Sequence, residues 1–345
     1  MNTRIERLRE ALAEPLLVTD PTNVVYLVGF ASSNAALLVD DGTVRLFADF
    51  RYAEAAREVE GVEFVQTKRW LLAALAEVLS GRIGFEPKAV SYAGYETLRA
   101  GGLELVPRDG FVEALRSVKD DLELDAIRAA CAITDRVYER LVGERFVGRT
   151  EHDVAWTLQQ LFHDEGAHEL AFESVVASGP NAAKPHARPT DRTIEAGETV
   201  VVDSGCAVDG YVSDYTRTFA TGRLPDELDE AYRVCAEAQL AALAGIEAGV
   251  SGADADALAR DVVDATSFEG AFGHGLGHGI GLVVHENPRL GTDSADVLVP
   301  GNVVTVEPGI YLAGRGGIRI EDDILVTAGG LENLTNLRKD LIEVG

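Results

Sequence analysis

Acidic residues at the ends of apolar β-type runs constrain this chain more than any other feature. VVVD ends in Asp203, VVTVE in Glu307 and GIRIE in Glu321, while Asp214 sits in the return of a hairpin and His278 in a glycine-rich stretch. Runs of Val and Ile are stable as strands when buried, so each terminal carboxylate is carried toward the interior with its strand. Four carboxylates and one imidazole cannot share a pocket without cations, because like charges at short range raise each other's pKa or force protonation. Two divalent ions would resolve that conflict and create a hydrolytic centre.

Register can be read in the first of these segments. Asp209-Gly210 is a hairpin turn signal, which pairs Val208 with Tyr211. Asp203 then lies opposite Thr216, and Asp214 is its diagonal neighbour on the same face, about 7–8 Å away. A turn-rich hairpin with solvated Asp side chains is the competing reading; Val201 and Val202, which bury the strand just before Asp203, weigh against it.

The segment FEGAFGHGLGHGIGLVVHENP carries His274, His278 and His285. Its alternate glycines exclude a helix and let the backbone approach a ligand closely. The geometry therefore differs from the HExxH zinc helix. A phosphate cradle and histidines serving as structural donors are the alternatives, and no P-loop or dinucleotide fingerprint accompanies the first. In GIRIEDDILV, alternation puts Ile318, Ile320 and Asp322 on one face and Arg319, Glu321 and Asp323 on the other. A solvated strand face would read the same way. Arg319 is expected beside Glu321, orienting and neutralising it. His186, between two prolines in NAAKPHARPTD, reads as a surface residue.

The 345 residues suit two domains. Short strands alternate with helices up to Ser117, predicting an α/β domain over 1–117. The remainder, 118–345, reads as α+β. Its helices are expected from Asp120 or Asp121, after Thr150 with acidic residues in the first turn, over Asp226–Ala248 and over Gly252–Thr266, with β segments between and after them. Cys131, Cys206 and Cys235 form no CxxC pair and read as small buried thiols in a reducing compartment.

The formal net charge of −26, with 57 acidic residues against 31 basic, disfavours nucleic acid and anionic membranes as partners. Only five of the basic residues are Lys. Acid excess with scarce Lys is read as adaptation to a high-salt interior, a statement about solubility rather than fold. No apolar run approaches the roughly 18 residues of a membrane helix, and MNTRIERLREAL has no signal-peptide centre, so a cytoplasmic location is expected.

Taken together, these segments resemble the pita-bread metallopeptidases, in the branch of Xaa-Pro aminopeptidases and Xaa-Pro dipeptidases (prolidases). PTNVVYLVGF and ADFRYAEAA resemble that branch's creatinase-like N-terminal domain, and the ligand motifs follow in order at spacings of 11, 64, 29 and 14 residues. The resemblance implies a pita-bread catalytic domain after a smaller creatinase-like one, and hydrolysis of the peptide bond before proline in dipeptides or short peptides. It implies Asp203 on one of two divalent metals, Asp214 and Glu321 bridging both, and His278 and Glu307 completing the other site. Glu307 would also act as general base. His186 and His285 would contact substrate near the scissile bond, His274 would line the pocket, and Arg289 would hold a terminal carboxylate. Mn or Co suits so oxygen-rich a set, with Zn or Fe as further candidates. A homodimer is also implied. Dipeptidase and aminopeptidase remain open. An amidinohydrolase of creatinase type, which shares the fold without the complete metal set, is the alternative activity.

Overall fold

The computed structural model describes residues 3–345. The chain divides into two compact units, 1–116 and 117–345.

The first unit is built on a six-stranded mixed sheet. Its strands are β1 (Leu16–Val18), β2 (Ala35–Val39), β3 (Val44–Asp49), β4 (Glu63–Thr67), β5 (Gly81–Phe85) and β6 (Leu103–Pro107), in the order β4-β3-β2-β1-β5-β6. β2 and β3 form a hairpin that turns at Asp41-Gly42, with Val39 opposite Val44. The helices are α1 (Thr3–Ala11), α2 (Pro21–Val28), α3 (Ala53–Arg57), α4 (Leu71–Val78), α5 (Tyr92–Ala100) and α6 (Phe111–Arg116). The segment PTNVVYLVGF makes α2. Asp20 caps it by accepting from the Thr22 and Asn23 N–H groups, and Pro21 occupies the first turn. β1, β2 and the interior of β3 are buried on both faces, which is why they read as continuous apolar runs.

The second unit is α+β. α7 (Asp121–Leu141) opens with a capping box between Asp120 and Glu123. α8 (Glu151–Asp164) opens with another, between Thr150 and Asp153. A second helix pair, α9 (Asp226–Gly245) and α10 (Gly252–Asp264), packs together through Ala242, Ala255 and Ala259 among others. α7 buries Leu124, Ile127, Ala130, Val137 and Leu141, as its periodicity predicts, but Ile133 is only partly buried. Tyr138 goes inward instead, its hydroxyl 3.0 Å from the Tyr215 carbonyl oxygen and 3.2 Å from that of Val202, so α7 is keyed to the sheet by a hydrogen bond as well as by packing.

Between the helix pairs lie β7 (Glu169–Leu170), β8 (Val175–Ser178), β9 (Thr199–Ser204), β10 (Cys206–Val208), β11 (Tyr211–Val212) and β12 (Tyr215–Ala220). After them come β13 (Gly277–Gly279), β14 (Glu286–Leu290), β15 (Val303–Val306), β16 (Gly309–Leu312), β17 (Gly316–Arg319), β18 (Asp322–Thr327), β19 (Gly330–Asn333) and β20 (Ile342–Glu343). One sheet runs β20-β12-β9-β8 and another β14-β13-β15-β18-β19. The Glu321 N–H donates to the Thr216 carbonyl at 3.0 Å, tying the edge of the second sheet's region to the first.

Two expectations change here. The stretch 317–326 is not one strand: β17 stops at Arg319 and β18 starts at Asp322. Nor does it have a solvated face, since every residue from Gly316 to Val326 is buried. The glycines of β13 admit neighbouring backbone, where a ligand was expected. A Cβ on Gly277 would fall 2.1 Å from the Thr305 carbonyl oxygen, and one on Gly279 2.3 Å from that of Asn287. Flanking strands press on β13 from both sides, and only glycine lets His278 stand between them.

Candidate metal centre

The hairpin sets Asp203 opposite Thr216, with Val208 opposite Tyr211. Asp214 falls in the break between β11 and β12, His278 on β13, Glu307 just past β15, and Glu321 in the gap between β17 and β18. These five side chains converge. Ligand atoms of Asp214, His278 and Glu321 lie within 4.8 Å of one another. The His278 Nε2 is 3.2 Å from the Glu307 carboxylate and 3.8 Å from that of Asp214.

Electrostatics at this site is dominated by crowding. Burial raises Asp214 well above the usual carboxylate range, and the charges of Asp203, Asp323 and Glu307 add to it. Glu321 is raised well above its ordinary value by burial and then by Asp214, Glu307 and Asp203. Asp203 is raised by burial despite Arg319 beside it. Glu307 behaves oppositely: burial works against its charge, but the hydrogen bond and charge of His278 outweigh it and bring the carboxylate to about 2. His278 rises correspondingly, burial being outweighed by Glu307. His278 answers Glu307 and Arg319 pairs with Asp203, which leaves Asp214 and Glu321 crowded by like charge.

The neighbours orient the set. Arg319 Nη2 donates to Asp203 Oδ2 at 2.6 Å, and its Nε donates to Thr216 Oγ1 at 2.9 Å. Thr216 Oγ1 donates in turn to Glu321 Oε2 at 2.6 Å. Arg319 was expected against Glu321 itself; the chain leaves the strand at Ile320, so its guanidinium reaches Asp203 and acts on Glu321 through Thr216 and through space. The His278 Nδ1 faces the Gly279 carbonyl at 3.2 Å, which places the proton there and leaves Nε2 toward the carboxylates. Thr305 Oγ1 touches Glu307 Oε1 at 3.2 Å.

The remaining histidines stand around this cluster. His274 directs Nδ1 to the Gly275 carbonyl and Nε2 to the Tyr311 hydroxyl, each at 2.8 Å, and burial lowers its pKa. Tyr311 accepts from Arg319 Nη1 at 3.0 Å, so His274 and Asp203 are joined through two side chains. The His285 ring lies 4.3 Å from that of His278, and partial burial followed by the His278 charge lowers its pKa. His186 is exposed on its loop, near enough for its charge to act on both His274 and His285. Arg289 is not drawn in: its side chain is 61% exposed and pairs with Asp293 at 3.1 Å.

Three contributors carry no functional signal in the sequence. Thr216 stands out there only as the residue opposite Asp203. Tyr311 had no signal beyond its place in EPGIY. Asp323 was assigned the face of Glu321 without a task; it accepts the Asp214 N–H at 3.0 Å, and burial pushes its carboxyl up to about 8.

The donor set fits divalent cations. Asp203 Oδ1 is buried and finds no hydrogen-bond donor among the described residues, so it presents a lone pair to the cluster. The raised carboxyls mark a region of negative potential that the protein leaves uncompensated.

A buried carboxylate cluster on a two-sheet frame, in a unit that follows an α/β unit along the chain, is the architecture of a hydrolytic metalloenzyme. Residues 125–328 match metallopeptidase family M24, and residues 4–118 match the creatinase/prolidase N-terminal domain. The chain belongs to metallopeptidase family M24, with a creatinase-type N-terminal domain before the pita-bread catalytic one. It is 32% identical to a Xaa-Pro dipeptidase of Pyrococcus furiosus, over 99% of this chain and 100% of that one. Among solved structures it is similar to a Xaa-Pro dipeptidase from Bacillus anthracis, with TM-score 0.95, 38% identity and 99% of each chain covered. It is also similar to an X-Pro aminopeptidase from Thermotoga maritima, with TM-score 0.88, 33% identity, and 99% and 100% covered.

Proposed function

We propose that this protein is a metal-dependent exopeptidase that hydrolyses the peptide bond preceding proline in dipeptides or short peptides. The observation that carries the reading is the buried cluster of four carboxylates and one imidazole, ringed by three further histidines, in a chain aligned end to end with Xaa-Pro dipeptidases. Residues 1–117 are the creatinase-like domain and 118–345 the catalytic one. Asp203, Asp214, His278, Glu307 and Glu321 hold two divalent ions. Bound there, the ions supply Lewis acidity and lower the pKa of a water.

The chain's own groups do the rest. Glu307, touched at Oε1 by the Thr305 hydroxyl, would accept a proton and pass it on. His285, neutral and partly accessible beside His278, donates to the developing oxyanion or exchanges a proton with solvent. His186 approaches the substrate from its exposed loop. His274 is held neutral by burial and fixed by Tyr311, and it shapes the pocket wall. Arg319 anchors Asp203.

Mn or Co is the favoured metal on hard-to-borderline donor chemistry, before Zn or Fe. A homodimer and a cytoplasmic, high-salt setting belong to the same proposal. Among the described residues no helix is long and apolar enough to cross a membrane. The exposed, Asp293-paired Arg289 gives no support to a carboxylate clamp, so the dipeptidase and aminopeptidase forms stand level. The amidinohydrolase alternative is not favoured: the relatives carry peptidase names and the carboxylate set is whole.

The test is a chelated protein reloaded with Mn or Co and assayed on Leu-Pro, Leu-Pro-Xaa and a matched peptide lacking proline. Metal-dependent cleavage of the first or second, with no cleavage of the third, is expected. Efficient cleavage of the third rejects proline specificity.

A further inference from the structure

His186 has no secondary structure to hold it. It lies between the 3-10 turn Gly179–Asn181 and Thr190, in a run of chain that is neither helix nor strand. A catalytic side chain on such a loop needs its backbone fixed to a fraction of an ångström, because misplacement of about 1 Å can cost 100-fold in rate. The question is what fixes it.

Glu151 does so from beneath. It is the first residue of α8, where an acidic side chain ordinarily serves the helix dipole from the surface. Here it is completely buried. Its two oxygens take hold of the two ends of the His186 loop. Oε1 accepts from the Ser178 N–H at 2.7 Å and the Ser178 hydroxyl at 2.8 Å. Oε2 accepts from the Thr190 N–H at 3.0 Å and the Thr190 hydroxyl at 2.6 Å. Asn181 Nδ2 bridges both oxygens at 3.2 and 3.1 Å. All donors therefore come from residues flanking the loop, with Ser178 and Asn181 on one side and Thr190 on the other.

The rest of the loop is seated on this clamp. Ala182 and Ala187 are buried against Ala177 and Val201, the latter on β9, the strand that carries Asp203. The Pro185 carbonyl, next to His186, accepts from Arg319 Nη1 at 3.2 Å. A buried carboxylate that spans five donors is costly to misfit, since any donor that lets go leaves charge unsatisfied in a closed interior. That cost transmits rigidity from α8 to the loop.

We infer that Glu151 is a positioning residue for His186, holding both ends of its loop so that the imidazole faces the cluster. The inference rests on the role proposed for His186 and adds a residue that never touches substrate or metal. Glu151→Gln keeps the size of the side chain but replaces one acceptor oxygen with an N–H donor, aimed at donors already there, so one end of the loop must release.

Two readouts test it. In metal-free protein with isotope-labelled histidine, the His186 imidazole signal, assigned by its loss in His186→Ala, is expected to shift or broaden in Glu151→Gln. Those of His274 and His278 should hold still. In metal-loaded protein, Glu151→Gln is expected to lower kcat/KM on Leu-Pro by about 10- to 100-fold, the scale of lost orienting contacts. The same change made in His186→Ala should cost less than about 3-fold. An unmoved His186 signal overturns the inference, as does an equal loss in both backgrounds. A His186→Ala enzyme with wild-type kinetics overturns the role of His186 and this inference with it. Equal losses from Glu151→Gln beside an impaired His186→Ala overturn this inference alone. If Glu151→Gln does not fold, Thr190→Val, which removes a single donor to Oε2, carries the same comparison.

Discussion

Glu321 and Asp322 are consecutive, both buried, and belong to opposite electrostatic worlds. Asp322 points into a pocket where the protein supplies its own cations. Arg217 Nη2 lies 2.8 Å from one oxygen, and Lys339 Nζ pairs with the other. Burial alone would raise its pKa, but those two charges outweigh it and the carboxylate is lowered. Glu321 points the other way, toward Asp203, Asp214 and Glu307; the charge of Arg319 does not offset burial and these carboxylates, and its pKa is raised. The chain can compensate a buried carboxylate when structure alone is the aim. A residue away, Glu321 and its neighbour Asp214 keep raised pKa values instead, a crowding that bound cations would relieve.

Four experiments bear on that contrast. The largest effect should come from Asp214→Asn. Loss of metal at one or both sites, and of hydrolysis with it, is expected by metal analysis and assay, while the metal-free protein gains stability because a crowded charge is gone. Retained turnover at full metal content would sink the two-metal assignment. Arg217→Met attacks the other pocket. It strands Asp322 and leaves the Thr216, Glu321 and Leu337 carbonyls without the guanidinium, so a loss of about 3–5 kcal/mol in chemical denaturation is expected. A loss near zero would show that Lys339 and Asn333 satisfy Asp322 without the guanidinium.

The two pockets should also answer pH in opposite senses. Asp214 and Glu321 have raised folded pKa values, so their contribution is present below the unfolded value of about 4 and is lost as pH rises through the folded value. Asp322 is lowered, so its contribution is present above about 4 and is lost as pH falls through its folded value. Metal-free protein should therefore gain melting temperature from pH 8 toward 5 and lose it in stronger acid. The first slope should flatten in Asp214→Asn/Glu321→Gln, and an unchanged slope in that variant refutes the assignment. The smallest effect per residue concerns the surface: with a net charge of −26, stability should rise from dilute buffer toward molar KCl. Equal melting temperatures in both would remove the high-salt reading.

Much of this site was legible because hairpin register is local. A two-residue turn fixes pairing, and pairing fixes which side chains share a face, so Asp203 opposite Thr216 needed no tertiary information. The segment 317–326 was less legible because alternation assumes an unbroken strand. The break at Ile320–Glu321 let Arg319 turn to Asp203, and only contacts over a separation of 116 residues reveal that. Glu151 was opaque for a similar reason. An acidic first-turn residue looks the same whether it faces water or a buried ring of donors supplied 27 to 39 residues later.

Residue order alone carried the acids to the strands and their ends, the cap of α8, the start of α7 to within a residue, the two-part organisation and the family pattern. Each depends on short-range periodicity, turn chemistry or the order of motifs along the chain. Tertiary structure alone decided which charges were answered from within the protein and which were not. Burial and Coulomb energy depend on the three-dimensional company a carboxylate keeps, and for Glu321 and Asp322 that company differs completely across one peptide bond.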